Sequence, residues 1–221
     1  MPAPPRNPAD LDPLVTTWAA GRVFHRCFDI IWGSRAFYAG GPGHRGRFHP
    51  FAVVRGRNPL PVLYGASDVD GALSETVFHN VPVRGSKHVT HAQLVHRVVV
   101  ALEPTRDLQL VDLTSDGLRR LELTRVELIE SDARSYPDTA AWARALHNHP
   151  HHLDGLMWVS RQRDTSLALV LFGDRVKQSD LAVAPGQVPL PLGSGPGLDT
   201  VAAAANRAGI TIAGITVSSL S

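Results

Sequence analysis

With 221 residues, 43% of them hydrophobic and 19% charged, the chain can bury one sizeable core and is too apolar for wholesale disorder, a collagen repeat or a coiled coil. No apolar run approaches the roughly 20 residues that span a bilayer, and the start MPAPPRNPADLDP lacks the order of a secretory leader. Its lone cysteine, Cys27, excludes an internal disulfide and a paired-cysteine metal knuckle, so a reducing, cytoplasmic setting without membrane contact is expected. Net charge is only +2, from 22 Lys+Arg against 20 Asp+Glu, which does not demand nucleic acid. The cations before residue 60 are nevertheless mostly arginine (Arg22, Arg26, Arg35, Arg45, Arg47, Arg55, Arg57), the side chain shaped to grip phosphate with two parallel bonds. A phosphorylated ligand fits that bias.

Residues 1–14 are proline-rich without periodicity and read as a flexible arm, ahead of a main domain over 15–185. GRVFHRCF (21–28) alternates as a first strand, and GGPGHRGRFHP (40–50) reads as a glycine-rich loop whose backbone can approach a ligand closely. PVLYGA (61–66) is a second strand. It leads into a predicted helix over 67–80 that Ser67 or Asp68 would cap. The β-branched run from Ala92 to Leu102 predicts a strand, LQLVDL (108–113) another, and 114 to about 130 a helix capped by Ser115. YPDTAAWARALHNHP (136–150) is a helix started by Pro137 and Asp138, with Ala141, Trp142, Ala145 and Leu146 as its apolar stripe. GLMWVS (155–160) and LALVLF (167–172) are apolar strands. Residues 186–221 form a Pro/Gly linker, a helix and a last strand, ITIAGITV, packed on the same domain.

Several residues on these elements could carry chemistry. At about 100° per residue, Val69, Leu73, Thr76 and Val77 share one helix face, and Glu75 points the other way beside Gly71 and Phe78. That helix is apolar nearly all round, so a carboxylate on it needs a partner. A surface glutamate beside an incidental phenylalanine accounts for the pattern equally well. Arg26 in a strand is costly unless paired, and Arg47 follows the glycine loop; each could hold a phosphate or bridge to an acidic neighbour. Tyr64 ends an apolar strand where a ring can stack on a flat ligand with its hydroxyl accessible, or simply fill the core. Ser160 lies outside any GxSxG, so it suits a ligand-orienting hydroxyl better than a nucleophile. The cluster HNHPHH (His147, His149, His151, His152) suggests zinc at first sight. Pro150 breaks the register an i, i+4 pair needs and no HExxH is present, so no metal is expected.

In order, GRVFHRCF, GRFHP, PVLYGASDVDGALSETVFHN, DARSYPDTAAWARALHNHP, DGLMWVSRQ and LVLFGDRV resemble the RES domain proteins over roughly residues 20–177. The resemblance implies an α/β (α+β) fold similar to ADP-ribosyltransferases, a mixed sheet with flanking helices. It also implies a toxin of a bacterial toxin–antitoxin pair that depletes NAD⁺, a substrate rather than a cofactor. The family's arginine maps to Arg26 or Arg47, its tyrosine to Tyr64, its glutamate to Glu75 and its serine to Ser160. Glu75, Tyr64 and Arg47 are thereby the expected catalytic residues, with Arg26, Arg47, Tyr64 and Ser160 binding substrate. The expected partner is a cognate helix-turn-helix antitoxin of Xre type, with the toxin a homodimer inside that complex and no nucleic acid bound directly. Modification of a cellular protein by ADP-ribosylation, or an attack on translation, are the alternative activities. The residue two before Glu75 is Leu73, where protein-modifying ADP-ribosyltransferases often carry a second glutamate, and this favours a small acceptor.

Overall fold

This computed structural model describes residues 1–40, 46–54 and 56–215. Residues 1–14 hold one 3-10 turn (Pro8–Asp10); the Pro2 carbonyl accepts the Trp142 indole N–H at 2.9 Å, and Leu11 is buried. The strands that follow are β1 (Val15–Trp18), β2 (Phe24–Asp29), β3 (Val62–Ala66), β4 (His88–Thr90), β5 (Arg97–Pro104) and β6 (Leu108–Asp112). Later come β7 (Gly155–Val159), β8 (Leu167–Phe172), β9 (Leu181–Val183), β10 (Leu190–Pro191) and β11 (Thr211–Ala213). The helices are α1 (Val69–Ser74), α2 (His91–Leu94), α3 (Ser115–Arg120), α4 (Arg125–Leu128), α5 (Tyr136–His147) and α6 (Gly195–Arg207).

Alternation in β2 buries Phe24, Arg26 and Phe28 on one face. The main sheet runs β1-β6-β7-β8-β3-β2-β5-β10, with β9 also on β5; β4 and β11 pair in parallel as a separate ribbon. Only β6 and β7 are parallel within the main sheet, as two strands joined through intervening helices must be able to run. One face carries α3, α4 and α5 over a core that includes Val111, Leu128, Trp142, Leu146, Leu156 and Phe172. The opposite face is filled by Phe24, Leu63, Val100, Leu110 and Leu171. A third cluster packs α1 and α6 on β5 through Leu73, Val99, Leu198 and Val201.

The middle of the sheet is split. β2 follows β5 from Phe24–Leu102 to Asp29–Arg97, and β3 follows β8 from Val62–Phe172 to Ala66–Ala168, yet β2 and β3 pair only at His25–Ala66. Gly65 permits that one close approach, since a Cβ there would lie 2.6 Å from the Phe24 ring and 3.2 Å from the His25 carbonyl. Beyond it the strands diverge, and Tyr38 takes the place of β2 by pairing with Val62.

Several boundaries differ from expectation. β1 precedes the strand read as first, and β4, β9 and β10 are short strands without sequence alternation. The strand expected from Ala92 begins at Arg97, because His91–Leu94 forms a helical turn with Gln93 bonded back to Thr90. The helix expected over 114–130 is two: Glu122 takes φ 57, and Thr124 starts a second helix with a capping box to Glu127. Thr114, not Ser115, occupies the cap position of the first. The helix expected over 67–80 stops at Ser74. Of the loop 40–50, residues 41–45 lie outside the described residues; 46–49 is a turn in which Gly46 and His49 exchange backbone hydrogen bonds. The last strand is Thr211–Ala213, and the end of ITIAGITV lies outside the described residues. Among the described residues no helix is long and apolar enough to cross a membrane.

Candidate active site

The split between β2 and β3 opens into a cleft of about 640 Å³. Arg26, Arg47, Tyr64 and Glu75 all line it, together with Trp32, Tyr38, Arg97, Tyr136 and Trp158. Ser160 is fully buried directly behind Glu75.

Glu75 reaches the cleft because α1 ends where it does. Asp68 caps the helix by accepting the Gly71 N–H at 2.8 Å, and Glu75 sits at the C-terminal cap, its N–H still bonded to the Gly71 carbonyl at 2.9 Å. The partner a carboxylate requires on this apolar segment is Ser160, whose hydroxyl donates to Glu75 Oε1 at 2.5 Å. That direction is enforced. The Gln162 and Arg163 amides both donate to Ser160 Oγ at 3.1 Å, so the oxygen's acceptor capacity is taken and its proton is directed at the carboxylate. Arg125 fixes the same turn from below through the Val159 and Ser160 carbonyls at 3.2 and 3.1 Å.

Neither buried arginine bridges to an acid among the described residues. Arg26, 6% exposed, donates to the Ser34 carbonyl at 2.8 Å and stands over the Phe28 ring at 5.1 Å. Burial brings its pKa down to about 10, which leaves it charged at neutral pH. Arg47, 8% exposed, donates through Nη1 to Ser131 Oγ at 2.8 Å and to the Ser131 and Leu128 carbonyls at 3.1 and 3.2 Å. Burial pulls its pKa down as well. Tyr136 lies 5.6 Å beneath its guanidinium, and the Thr139 hydroxyl donates to its carbonyl, so α5 holds both ends of the residue. Two guanidiniums desolvated by the fold and in salt bridges with no carboxylate among the described residues make a cleft that favours an anion.

Tyr64 combines the two roles open to it, lining the cleft while packing against the core. Its hydroxyl is not free but accepts the Phe48 N–H at 3.3 Å, and its ring meets Trp158 edge-on with centroids 6.4 Å apart. Burial pushes the phenol pKa up, so it stays neutral. The peptide group of Tyr64 faces the gap: the Val62 N–H and C=O bond Tyr38 on that edge of β3, and a strand turns the same way every second residue.

Of the early arginines, Arg22 stacks on Trp18 at 3.9 Å and Arg35 bonds the Leu181 carbonyl at 2.9 Å, both away from the cleft. Arg45 and Arg55 lie outside the described residues. The lining residues missed in the sequence include Arg97, Trp32, Tyr38, Tyr136 and Trp158. A lone charge heading a β-branched run marks Arg97; Trp32 and Tyr136 carry no local signal. The four histidines do not gather at one point: His147 bonds Asp174 at 2.9 Å, His149 meets His151 edge-on with ring centroids 4.5 Å apart, and His152 meets Arg175 at 3.0 Å. Among the described residues no three His, Cys, Asp or Glu gather where they could hold a metal.

A family model described as RES domain matches residues 19–192. No curated protein matches the sequence. Among solved structures, a chain of the M. tuberculosis MbcT–MbcA toxin–antitoxin complex is similar in fold, with a TM-score of 0.56 at 16% identity over 80% of this chain and 86% of that one. The mixed sheet with flanking helices is the fold class expected from the sequence.

Proposed function

The chain belongs to the RES domain family, and from that premise we propose that it is the toxin of a toxin–antitoxin pair, acting by cleaving the nicotinamide–ribose bond of NAD⁺. The observation that carries this reading is one cleft holding a serine-anchored carboxylate, Glu75, with two buried arginines that have no acidic partner among the described residues. A pyrophosphate suits the arginines and a ribose suits the carboxylate. The similar fold drawn from a toxin–antitoxin complex supports the assignment as a toxin with a protein antagonist.

In this reading the bond from ribose C1′ to the pyridinium nitrogen breaks with its electron pair going to nitrogen, which releases neutral nicotinamide and leaves positive charge on the ribose. Glu75 opposes that charge, and Ser160 keeps the carboxylate from turning away. Arg26 and Arg47 hold the pyrophosphate, while Tyr64 and its peptide group flank the nicotinamide end. An acceptor then completes C1′: water gives ADP-ribose and a proton, phosphate gives the 1″-phosphate. Leu73 is fully buried, so the position two before Glu75 presents nothing to a protein acceptor, which favours a small one.

The test is mass spectrometry of NAD⁺ and its products after incubation with purified protein, with and without phosphate. Glu75→Gln keeps shape and removes charge, so turnover should fall by about 10²-fold or more in a folded protein. Expression of the parent should arrest growth, co-expression of a neighbouring antitoxin should restore it, and Glu75→Gln should be tolerated alone. Arrest by a catalytically dead Glu75→Gln protein would move the reading to an attack on translation.

A further inference from the structure

The family match ends at residue 192, but α6 begins at Gly195 and packs against the segment that carries Glu75. The two are joined at one carboxylate. Asp70, in the first turn of α1, accepts Arg207 Nη2 from the last turn of α6 at 2.6 and 2.8 Å. The same carboxylate meets Arg163 Nη2 at 3.1 Å. Arg163 is also the residue whose amide fixes Ser160 Oγ. The Asp70 side chain is 15% exposed, while Arg207 at 51% reaches the surface, so solvent screens the pair in part and its role is one of geometry more than of energy.

These contacts close a ring. Glu75 lies five residues after Asp70, Ser160 three residues before Arg163, and the two halves meet twice, at Ser160–Glu75 and at Arg163–Asp70. Arg207 holds the ring from outside, while Leu198, Val201 and Ala205 pack with Leu73 and Phe78 beneath it. A six-residue helix has too few internal hydrogen bonds to define its own position. Its placement, and so that of Glu75, comes from these contacts.

We propose that Asp70 and Arg207 are positioning residues, through which the C-terminal helix sets the Ser160–Glu75 geometry. This rests on the NAD⁺-cleaving reading for its catalytic consequence, and on the contacts alone for its structural one. Misplacing a reacting group by a fraction of its bond length costs rate more than affinity.

The experiment uses the full chain and compares the parent with Arg207→Ala and Arg207→Lys. Arg207→Ala should lower kcat for NAD⁺ about tenfold and leave KM within about twofold. A single nitrogen makes both bonds to Asp70, so an ammonium can replace it, and Arg207→Lys should restore most of the rate. In parallel, amide hydrogen exchange should speed up at residues 69–78 and 160–166 in Arg207→Ala and stay unchanged in β5 and β8. If Arg207→Ala does not fold, Arg207→Gln takes its place with the same expectations. Unchanged exchange in both segments, or equal acceleration throughout the sheet, would overturn the proposal. So would an unchanged kcat in a protein that cleaves NAD⁺. A parent that cleaves no NAD⁺ sinks the proposed function only, since the exchange comparison still decides the positioning.

Discussion

Arg26 and Arg47 have both lost most of their water without gaining a carboxylate among the described residues, but they are tied into the fold to different degrees. Among the described residues the Arg26 side chain makes one hydrogen bond, to the Ser34 carbonyl, so its truncation frees a single acceptor there. Arg47 holds three oxygens at the end of α4, and its removal leaves the buried Leu128 carbonyl without that donor. Arg26→Ala should therefore raise KM for NAD⁺ with little change in melting temperature, whereas Arg47→Ala should raise KM and also destabilise the protein by about 1–3 kcal/mol. Lysine at either position keeps charge but loses the fork, and should recover only part of the affinity. Titrations of NAD⁺ against each folded variant, with thermal melts alongside, check this. Full recovery by lysine at both sites would count against pyrophosphate recognition.

Helix α1 is short, and its position is tight. A Cβ on Gly71 would lie 2.7 Å from Ser166 Cβ and 3.0 Å from Ala66 Cβ, atoms next to backbone that cannot swing aside. Alanine is favoured over glycine inside a helix by about 1 kcal/mol, but overpacking at such a contact costs about 1–3 kcal/mol. Gly71→Ala should thus be net destabilising, and by lifting α1 off the 160–166 turn it should lower kcat more than it raises KM. A higher melting temperature with full activity would show that the turn yields. The same element marks what was legible in the sequence. Phe24–Asp29 and Tyr136–His147 were readable because each buries one regular face, and Val62–Ala66 because it is a short apolar run, buried on both faces at Val62 and Leu63. Glu75 was recognisable as a carboxylate on an apolar segment, but its partner Ser160 lies 85 residues away in the chain. Arg97 was hidden as the first residue of a strand, and β9 and β10 are too short to show alternation. Nothing local announces that β2 and β3 will part after one pair, and the cleft exists only because they do.

On the scale of the whole molecule, buried histidines weaken the fold in acid. Burial lowers the pKa of His25 and of His49, and His25 Nδ1 and His49 Nε2 are both buried without a hydrogen-bond partner among the described residues. The unfolded chain binds protons at these sites at a higher pH than the folded one, so stability is fullest above about pH 6.5 and falls as pH drops through it. Each site costs at most about 1.4 kcal/mol per pH unit until its folded form also protonates. Denaturant midpoints at pH 7.5 and 5.5 should show the loss, and a His25→Gln, His49→Gln double variant should flatten it; an equal loss in the double variant would assign it to other groups. The four tryptophans divide along another line. Trp32 and Trp158 line the cleft, one at its open rim and one 3% exposed in its wall, whereas Trp18 lies under Arg22 and Trp142 is tethered to Pro2. Two indoles thus view the cleft, so a ligand that enters it changes the surroundings of Trp32 and Trp158 and should register as a change in the protein's intrinsic fluorescence.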